Sequence, residues 1–210
     1  VLAGGRHLSE IVEAGPGGVR VVPGASGVPR LADLDREGRE GLLKELQELE
    51  AESDFLVLDT GAGISRNVVA FAAAADEVLV VTTPEPTAVL DAFALIKVLS
   101  REDGLGRVRL VVNQAAGRAE AEAVSRRIVS ACRQFLGLQV DRMGWVISDY
   151  HVAEAVRRRQ PFVLAFPSSP AARCVDTLAG MLGGPLPGPT ERPGFFRRVL
   201  SRFAPGEGAP

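Results

Sequence analysis

A carboxylate followed by glycines, at the end of an apolar run, is the feature of this sequence best suited to chemistry. In FLVLDTGAGIS (Phe55–Ser65), apolar residues lead to Asp59, and Gly61 and Gly63 follow closely. If the run is a buried strand, its carboxylate needs a partner, because burying an unpaired charge is costly. A Mg²⁺ ion beside nucleotide phosphates is such a partner, and glycine N–H groups can approach a phosphate without a side-chain clash. The pattern predicts a phosphate-binding loop; the alternative is that Asp59 only caps a helix beginning near Ser65.

Short β-branched runs predict strands, and segments with helical periodicity lie between them. The predicted strands are Val19–Pro23, Phe55–Thr60, Glu77–Thr83, Arg107–Asn113 and Trp145–Ile147. The predicted helices are a Leu42/Leu46/Leu49 repeat, Val68–Ala75, Thr87–Leu99, Ala119–Phe135, Val152–Arg159 and Ala171–Leu182. This alternation predicts an α/β fold with a doubly wound, mostly parallel sheet, and the nearly all-apolar middle strands predict cover on both faces. Ligands of such sheets bind outside the carboxyl ends of the strands, where Asp59, Thr83 and Asn113 fall.

Composition and charge limit the kind of protein. The chain has 210 residues, 46% hydrophobic and 24% charged, which suits a soluble globular domain with a small appendage. A net charge of −2 argues against a protein that holds nucleic acid through its overall charge. No apolar run approaches the roughly 20 residues that cross a bilayer. Cys132 and Cys174 form no metal or redox motif, which predicts free thiols.

The composition changes after Gly183. Segment 184–194 is rich in Pro and Gly and predicts a linker, and segment 204–210 predicts a disordered tail. Between them, FFRRVLSRF (Phe195–Phe203) predicts a short amphipathic helix. Its apolar face carries Phe195, Phe196, Val199, Leu200 and Phe203, and Arg197 and Arg198 face away. Such a basic helix suits the surface of an anionic membrane; the alternative is that it docks on its own domain.

The order of three stretches, DFLVLDTGAGIS, VVTTPEPTAVLDAFALIKVLS and LVVNQA, resembles the MinD/ParA group of deviant P-loop ATPases. Two more stretches, EAGPGGVRVVPGASGVPRLADL (Glu13–Leu34) and RRRQPFVLAFPSSPAARCVDTLA (Arg157–Ala179), resemble its flagellar-number subgroup, FlhG/FleN. The resemblance covers roughly Val1–Gly183, and the combination is specific although no single motif is. It implies a P-loop nucleotide-hydrolase domain over residues 1–183, with ATP and Mg²⁺ as cofactors.

The resemblance also implies roles for the residues of the glycine loop. Asp59 corresponds to the Walker B carboxylate that supports Mg²⁺, through water. Gly63 corresponds to the switch glycine whose N–H senses the γ-phosphate. Gly61 stands where MinD itself usually has proline, a difference that the flagellar subgroup tolerates.

The resemblance also implies roles for residues at the ends of the predicted strands Glu77–Thr83 and Arg107–Asn113, which would bind the nucleotide or lie near the dimer interface. Asn113 corresponds to the asparagine that hydrogen-bonds adenine, since one amide can both donate and accept. Taken alone, Asn113 is better explained as a turn-forming residue before Gln114. Thr83 and Pro84 belong to a segment that matches the family's TTPE motif; the alternative is a plain strand-to-helix loop. Ser148 replaces the proline that the family usually has in its turn beside the base.

A P-loop requires G-x-x-x-x-G-K-[ST], whose lysine neutralises charge on the β- and γ-phosphates. The only lysines, Lys44 and Lys97, follow Leu-Leu and Leu-Ile, so the motif is absent from this sequence. The segment beginning at Val1 resembles family sequence that normally follows the P-loop, which predicts a copy truncated at its N-terminus. We therefore expect the chain alone to be inactive, and the intact protein to hydrolyse ATP slowly. The alternative is a pseudo-ATPase that keeps its partner surfaces without hydrolysis.

By resemblance, the intact protein is an ATP-dependent dimerising switch that regulates flagellar number or placement in bacteria. It would move between the cytoplasm and the inner face of the cell membrane. The implied partners are a second copy when ATP is bound, a signal-recognition-type flagellar GTPase, flagellar switch-complex proteins, a flagellar transcription activator and anionic lipid. Direct binding to nucleic acid is not expected. A MinD-type role at the division site and a ParA-type role in partition are the alternatives.

Overall fold

The structure, a computed structural model, describes residues 10–23, 36–182 and 193–203. The predicted linker lies almost entirely outside these residues, as does the predicted tail. The side chain of Phe203, predicted to lie on the apolar face of the last helix, is also outside the described part.

The chain is arranged in two compact units. The first contains the described residues up to Asp59 together with those from 193 onward, and the second begins at Thr60. In the first unit, strands β1 (Glu13–Ala14) and β2 (Arg20–Val21) form a short antiparallel hairpin. The same unit holds helix α1 (Arg36–Ala51), which contains the predicted leucine repeat.

The last helix, α8 (Phe195–Phe203), has the bounds that the sequence predicts and packs on α1. Phe195 and Val199 are only 5% and 3% exposed, whereas Arg197 is exposed. The N–H of Phe195 donates to Glu50 Oε1 at 2.7 Å, so a carboxylate of α1 lies at the helix end where the dipole favours an anion. Docking on the chain itself, the alternative considered from the sequence, therefore describes this structure.

The second unit is built around a three-stranded parallel sheet, which confirms the predicted α/β class. Strands β3 (Glu77–Thr82), β4 (Arg107–Ala115) and β5 (Asp141–Ile147) are neighbours in that order. Helix α3 (Pro86–Leu99) connects β3 to β4, and helix α4 (Arg118–Leu136) connects β4 to β5. Two strand–helix–strand units thus place the carboxyl ends of all three strands at one edge.

The remaining helices of the second unit flank these elements. Helix α2 (Arg66–Ala74) precedes β3, and helices α5 (Tyr150–Arg157), α6 (Phe162–Ala165) and α7 (Pro170–Leu182) follow β5. The sequence predicts all of them except α6, which is too short to show a helical period. Among the described helices, none is long and apolar enough to cross a bilayer.

The core of the second unit lies between the sheet and helices α3 and α4. Leu110 of β4, Ile96 and Leu99 of α3, and Ile128 and Cys132 of α4 are at most 1% exposed. Burial raises the pKa of the Cys132 thiol. Both cysteines are free thiols, as predicted.

Two predictions about strands are wrong. Phe55–Thr60 is not a strand: no described strand pairs with it, and Phe55 and Val57 are 57% and 87% exposed. A strand needs a neighbour for its backbone hydrogen bonds, and an apolar run does not supply one. One face of β3 is also uncovered, with Leu79 and Val81 44% and 55% exposed, although its apolar sequence predicted cover on both faces.

Candidate functional site

An open cavity of about 290 Å³ lies where the three parallel strands of the second unit end. It is lined by residues that follow β3 and β5, by residues at the end of β4 and by a residue at the start of α4. Its lining consists of Thr83, Pro84, Glu85, Gln114, Ala116, Glu120 and Ser148. This is the edge at which parallel α/β sheets bind ligands, and two predicted site residues, Thr83 and Pro84, meet there.

Thr83 and Pro84 line the β3 side of the cavity. Thr83 Oγ1 is itself buried and has no hydrogen-bond partner within the described residues. A buried hydroxyl left unpaired costs stability. Helix α3 begins at Pro86 with Glu85 as its N-cap residue, which is also the geometry of a plain strand-to-helix loop.

The β4 side of the cavity is shaped by a β-bulge. The register between β4 and β5 shifts between Val112 and Ala115, where β4 has one residue more than its partner. Within this bulge Gln114 has a φ of +56°, and its N–H donates to Asn113 Oδ1 at 2.9 Å. Non-glycine residues seldom adopt such a conformation, and Asn113 holds Gln114 in it.

The two amides of the bulge have different positions. Asn113, predicted to hydrogen-bond adenine, does not line the cavity, and its Oδ1 accepts a hydrogen bond from the backbone. Gln114, its neighbour, lines the cavity. Asn113 lies inside β4 rather than in a turn, so its turn-forming alternative is wrong. The sequence does not point to Gln114, because a register shift leaves no mark in the hydrophobic pattern.

The start of α4 brings a carboxylate to the cavity. Glu120 Oε2 accepts the N–H of Ala116 at 2.7 Å, reaching back from the first turn of the helix. The other oxygen, Oε1, makes no hydrogen bond within the described part of the chain. Glu120 is exposed, and one of its oxygens is held by the backbone while the other can still accept a hydrogen bond.

The β5 side is anchored by a buried aspartate. Asp149 directly follows the cavity residue Ser148, and its side chain is 3% exposed. It accepts hydrogen bonds from the N–H groups of Ala171 and His151, both at 3.0 Å, and His151 Nδ1 lies 2.8 Å away. These donors, the Ala171 N–H first, lower the pKa of Asp149. One carboxylate thus joins the N-termini of α5 and α7 beside the cavity.

The chemistry of the cavity favours binding a group that donates hydrogen bonds. Glu85 and Glu120 supply negative charge, and no lysine or arginine of the described residues lines the cavity. Phosphate would be repelled there, whereas an amino group would be attracted. Its hydroxyl groups belong to Thr83 and Ser148.

The predicted phosphate loop differs from expectation at Asp59. The residue is exposed, so the expected burial of its carboxylate is wrong. Helix α2 is capped by Ser65, whose Oγ accepts the N–H of Val68 at 3.4 Å, so Asp59 does not cap it. Gly63 has a φ of +98°, which side chains disfavour, whereas Gly61 does not share this conformation.

The carboxylate of Asp59 fits a metal ion that arrives with a nucleotide. Mg²⁺ usually takes one or two carboxylates and completes its shell with water and phosphate oxygens. The described residues contain no group of three or more His, Cys, Asp or Glu side chains that could hold a metal alone. A single exposed carboxylate suits a Mg²⁺ ion whose other ligands are water and phosphate oxygens, not a metal centre built from protein ligands only.

Comparisons with known proteins agree with this architecture. The chain is 36% identical over 188 residues to the antiactivator FleN of Pseudomonas aeruginosa, covering 89% of this chain and 67% of FleN. It is 31% identical over 208 residues to the flagellum site-determining protein YlxH of Helicobacter pylori, covering 95% of this chain and 69% of YlxH. The septum site-determining protein MinD of Pyrococcus horikoshii, solved with Mg-ADP, has a TM-score of 0.64 at 20% identity, over 87% of this chain and 71% of that one. No protein-family model matches the chain.

The parallel sheet and the likeness to MinD define the class by its fold: an α/β protein with the fold of the MinD-type P-loop nucleotide hydrolases. The relatives define it further. The chain belongs to the MinD/ParA family of ATPases, in its FleN/FlhG group. It spans 67% and 69% of the lengths of FleN and YlxH.

Proposed function

We propose that the protein is an ATP-dependent switch ATPase that regulates flagellar number or placement. The observation that carries this proposal is the 36% identity with the antiactivator FleN over 89% of the chain. The likeness to YlxH, named for determining the flagellum site, supports the same process. The MinD likeness at 20% identity supports the fold but does not distinguish flagellar from division-site regulation.

Several residues have a role towards the nucleotide in this proposal. Asp59 holds Mg²⁺ through water, and the N–H of Gly63 contacts the γ-phosphate, with Gly61 keeping the loop free of side chains. Mg²⁺, when bound, neutralises charge on the phosphate oxygens. The acidic cavity, which includes Thr83 and Pro84, is unsuited to phosphate and accepts the base, with Asn113 supporting its wall.

The switch in this proposal is a homodimer that ATP favours and hydrolysis releases. Its partners are a signal-recognition-type flagellar GTPase, switch-complex proteins and a flagellar transcription activator. Helix α8 attaches the dimer to anionic lipid at the inner face of the membrane. Because the same apolar face packs on α1, with Phe195 and Val199 buried, α8 must leave α1 before it can bind lipid.

A non-hydrolysing scaffold is a second candidate function. Neither Lys44 nor Lys97 lies in a G-x-x-x-x-G-K-[ST] motif, so these 210 residues, which span 67% of the length of FleN, contain no P-loop. Such a scaffold would keep the partner surfaces and bind nucleotide without turning it over.

The test is Mg²⁺-dependent ATP hydrolysis by the protein as its gene encodes it. We expect Asp59→Ala to lower turnover by about tenfold or more, because removal of a metal-supporting group weakens metal binding on that scale. Asp54→Ala is the matched control, since Asp54 is also exposed and lies in the same segment, and it should leave turnover unchanged.

Equal turnover in wild type and Asp59→Ala would refute the role of Asp59. A wild-type protein that binds ATP and hydrolyses none would replace the switch ATPase with the scaffold.

A further inference from the structure

The C-terminal end of helix α5 carries three consecutive arginines, Arg157–Arg159. Segment 150–165, which comprises α5, α6 and the turn between them, contains one acidic residue, Glu154, against these three cations. Three arginines and one glutamate give the segment a formal charge of +2, whereas the whole chain has a net charge of −2. The positive charge is therefore concentrated locally on this part of the second unit.

The first two arginines have partners in the fold, and the third has none there. Arg157 Nη2 and Arg158 Nε lie 2.5 Å and 2.9 Å from the carboxylate oxygens of Glu154. The guanidinium of Arg158 also lies 5.1 Å from the centre of the Phe166 ring. Arg159 is exposed, and its side chain makes no hydrogen bond or ion pair with a described residue. Because one carboxylate neutralises only one of the two cations beside it, this helix end keeps a net positive charge.

Arg159 has a backbone conformation that is more usual for glycine. Its φ is +53°, and the N–H groups of Arg159 and Gln160 donate to the carbonyls of Val156 at 3.0 Å and Ala155 at 3.1 Å. These two bonds close α5 in a Schellman motif, where glycine is the common residue because a Cβ atom is disfavoured at positive φ. The arginine therefore costs conformational energy that glycine would avoid, and no described contact of its side chain offsets that cost. A partner outside the chain would offset it.

Exposed aliphatic side chains accompany these cations. Val156, in the last turn of α5, is 70% exposed, and Leu164 of α6, a helix that packs on α5, is 55% exposed. The arginines line neither the cavity at the carboxyl edge of the sheet nor the smaller cavity between α3 and α4. Small anions are usually bound in such concave sites. Nucleic acid would pair with the arginines but would not bury the aliphatic groups, whereas the interface of an anionic bilayer does both.

We propose that the α5–α6 surface, formed by Val156, Arg157–Arg159 and Leu164, is a second contact with an anionic phospholipid membrane, additional to α8. This inference rests on the membrane attachment in the proposed function. A single weak anchor holds a protein to a bilayer only reversibly, and lasting attachment generally takes a second signal such as a basic patch. The arginines attract the anionic leaflet, and Val156 and Leu164 leave water when they enter its interface.

The probe is a vesicle of phosphatidylglycerol mixed with phosphatidylcholine, and vesicles of phosphatidylcholine alone are the uncharged reference. Co-sedimentation of the protein as its gene encodes it, in the presence of ATP, gives a partition coefficient for each variant. Attraction through exposed arginines is screened by salt, so partition onto the anionic vesicles should fall as sodium chloride is raised.

We expect Arg159→Gly to lower partition onto the anionic vesicles about fivefold, the effect of one arginine near such a surface. Glycine suits the positive φ, so the urea midpoint of unfolding should not fall, and the lost binding reports the lost charge. Arg159→Lys keeps the cation and should partition as wild type does. Arg101→Gln is the matched control, because it removes an exposed cation from the turn after α3, and it should also partition as wild type does.

A second variant tests the apolar part of the surface. Val156→Ser should lower partition onto the anionic vesicles about threefold, because less apolar area leaves water on binding. Leu90→Ser is its control, since Leu90 is a 64% exposed aliphatic residue on α3, outside the α5–α6 surface, and its partition should be unchanged.

A folded Arg159→Gly variant with wild-type partition would overturn the inference, as would an equal loss in Arg101→Gln. It would also be overturned if Arg159→Gly weakened binding to duplex DNA but not to the vesicles, because the partner would then be nucleic acid. If Phe195→Asp combined with Phe196→Asp releases the protein and Arg159→Gly does not, attachment through α8 stands and this inference alone fails. A wild-type protein that hydrolyses ATP but binds no anionic vesicle would overturn the inference and the membrane attachment, and the proposed ATPase would stand.

Discussion

At the scale of single residues, Asp149 organises the loop next to the cavity. Its carboxylate accepts hydrogen bonds from Ala171 and His151, and so joins the first turns of α7 and α5. These donors place its pKa below the ordinary value. A carboxylate whose folded-state pKa is lowered adds stability above its unfolded pKa of about 4, and that stability is lost as pH falls through the lower folded value.

We therefore expect Asp149→Asn to lower the urea midpoint of unfolding at pH 5, and the difference from wild type to narrow as the pH falls towards 3. Asparagine has the same shape but carries no charge and must present an N–H₂ group to one of the donors. Asp91→Asn, on an exposed face of α3, should change the midpoint little at any pH. Urea titrations at several pH values measure these midpoints. If the difference between wild type and Asp149→Asn does not narrow as the pH falls, ionisation of Asp149 does not stabilise the fold.

Single residues also mark the limit of what the sequence predicts about the site. Thr83 and Pro84 could be placed at the cavity because they follow a recognisable strand. Gln114 could not, because its orientation depends on the register between β4 and β5, and register is a property of the pair of strands. Asp59 follows an apolar run, but whether that run forms a strand and buries the carboxylate depends on neighbouring strands, which a local pattern cannot reveal.

At the scale of elements, Arg109 of β4 connects the sheet to α7. Its side chain is 11% exposed, its guanidinium pairs with Glu77 of β3 at 3.0 Å, and it donates to the carbonyl of Met181 at 3.1 Å. The carbonyls at the end of a helix lack intrahelical partners, so this bond satisfies one of them. A single cation therefore joins two strands and a helix end.

We expect Arg109→Met to lower the free energy of unfolding by about 1–3 kcal/mol, because charged hydrogen bonds to partly buried groups contribute on that scale. Arg107→Met on the same strand is the matched control: its partner is Asp141, but its own side chain is 57% exposed, so about 0–1 kcal/mol is expected. Trp145, the only tryptophan of the chain, lies in the neighbouring strand and reports urea unfolding by its fluorescence. If both variants lose the same free energy of unfolding, Arg109 does not couple β4 to α7.

Helices whose apolar residues recur with the helical period were the most predictable part of the fold. Helices α3, α4, α7 and α8 occur within a residue or two of their predicted bounds, because each carries its own apolar stripe. The prediction of a strand at Phe55–Thr60 is wrong for the opposite reason, since a strand exists only where another strand offers hydrogen bonds. Helix α6, at four residues, is set by its surroundings rather than by a pattern.

At the scale of the whole molecule, the proposed function requires α8 to bind either α1 or an anionic membrane. The apolar face of α8 is buried on α1, where Phe195 and Val199 are shielded and Glu50 caps the first turn. Burying each such side chain contributes about 1.5–3 kcal/mol, and a cap contributes about 1 kcal/mol. An anionic membrane offers the same apolar burial and, in addition, attraction for Arg197 and Arg198. In the proposed function, the second tail of a dimer shifts this competition towards the membrane.

The proposed membrane attachment depends on the aromatic pair at the start of α8. We expect Phe195→Asp combined with Phe196→Asp to lower co-sedimentation with phosphatidylglycerol vesicles, in the presence of ATP, by about tenfold or more, because the variant loses two large apolar contacts and gains charges that anionic lipid repels. Phe135→Asp is the matched control, since Phe135 is a 69% exposed phenylalanine outside the tail, and it should sediment as wild type does. Undiminished binding of the double variant would show that α8 is not the anchor and that its place on α1 is purely structural.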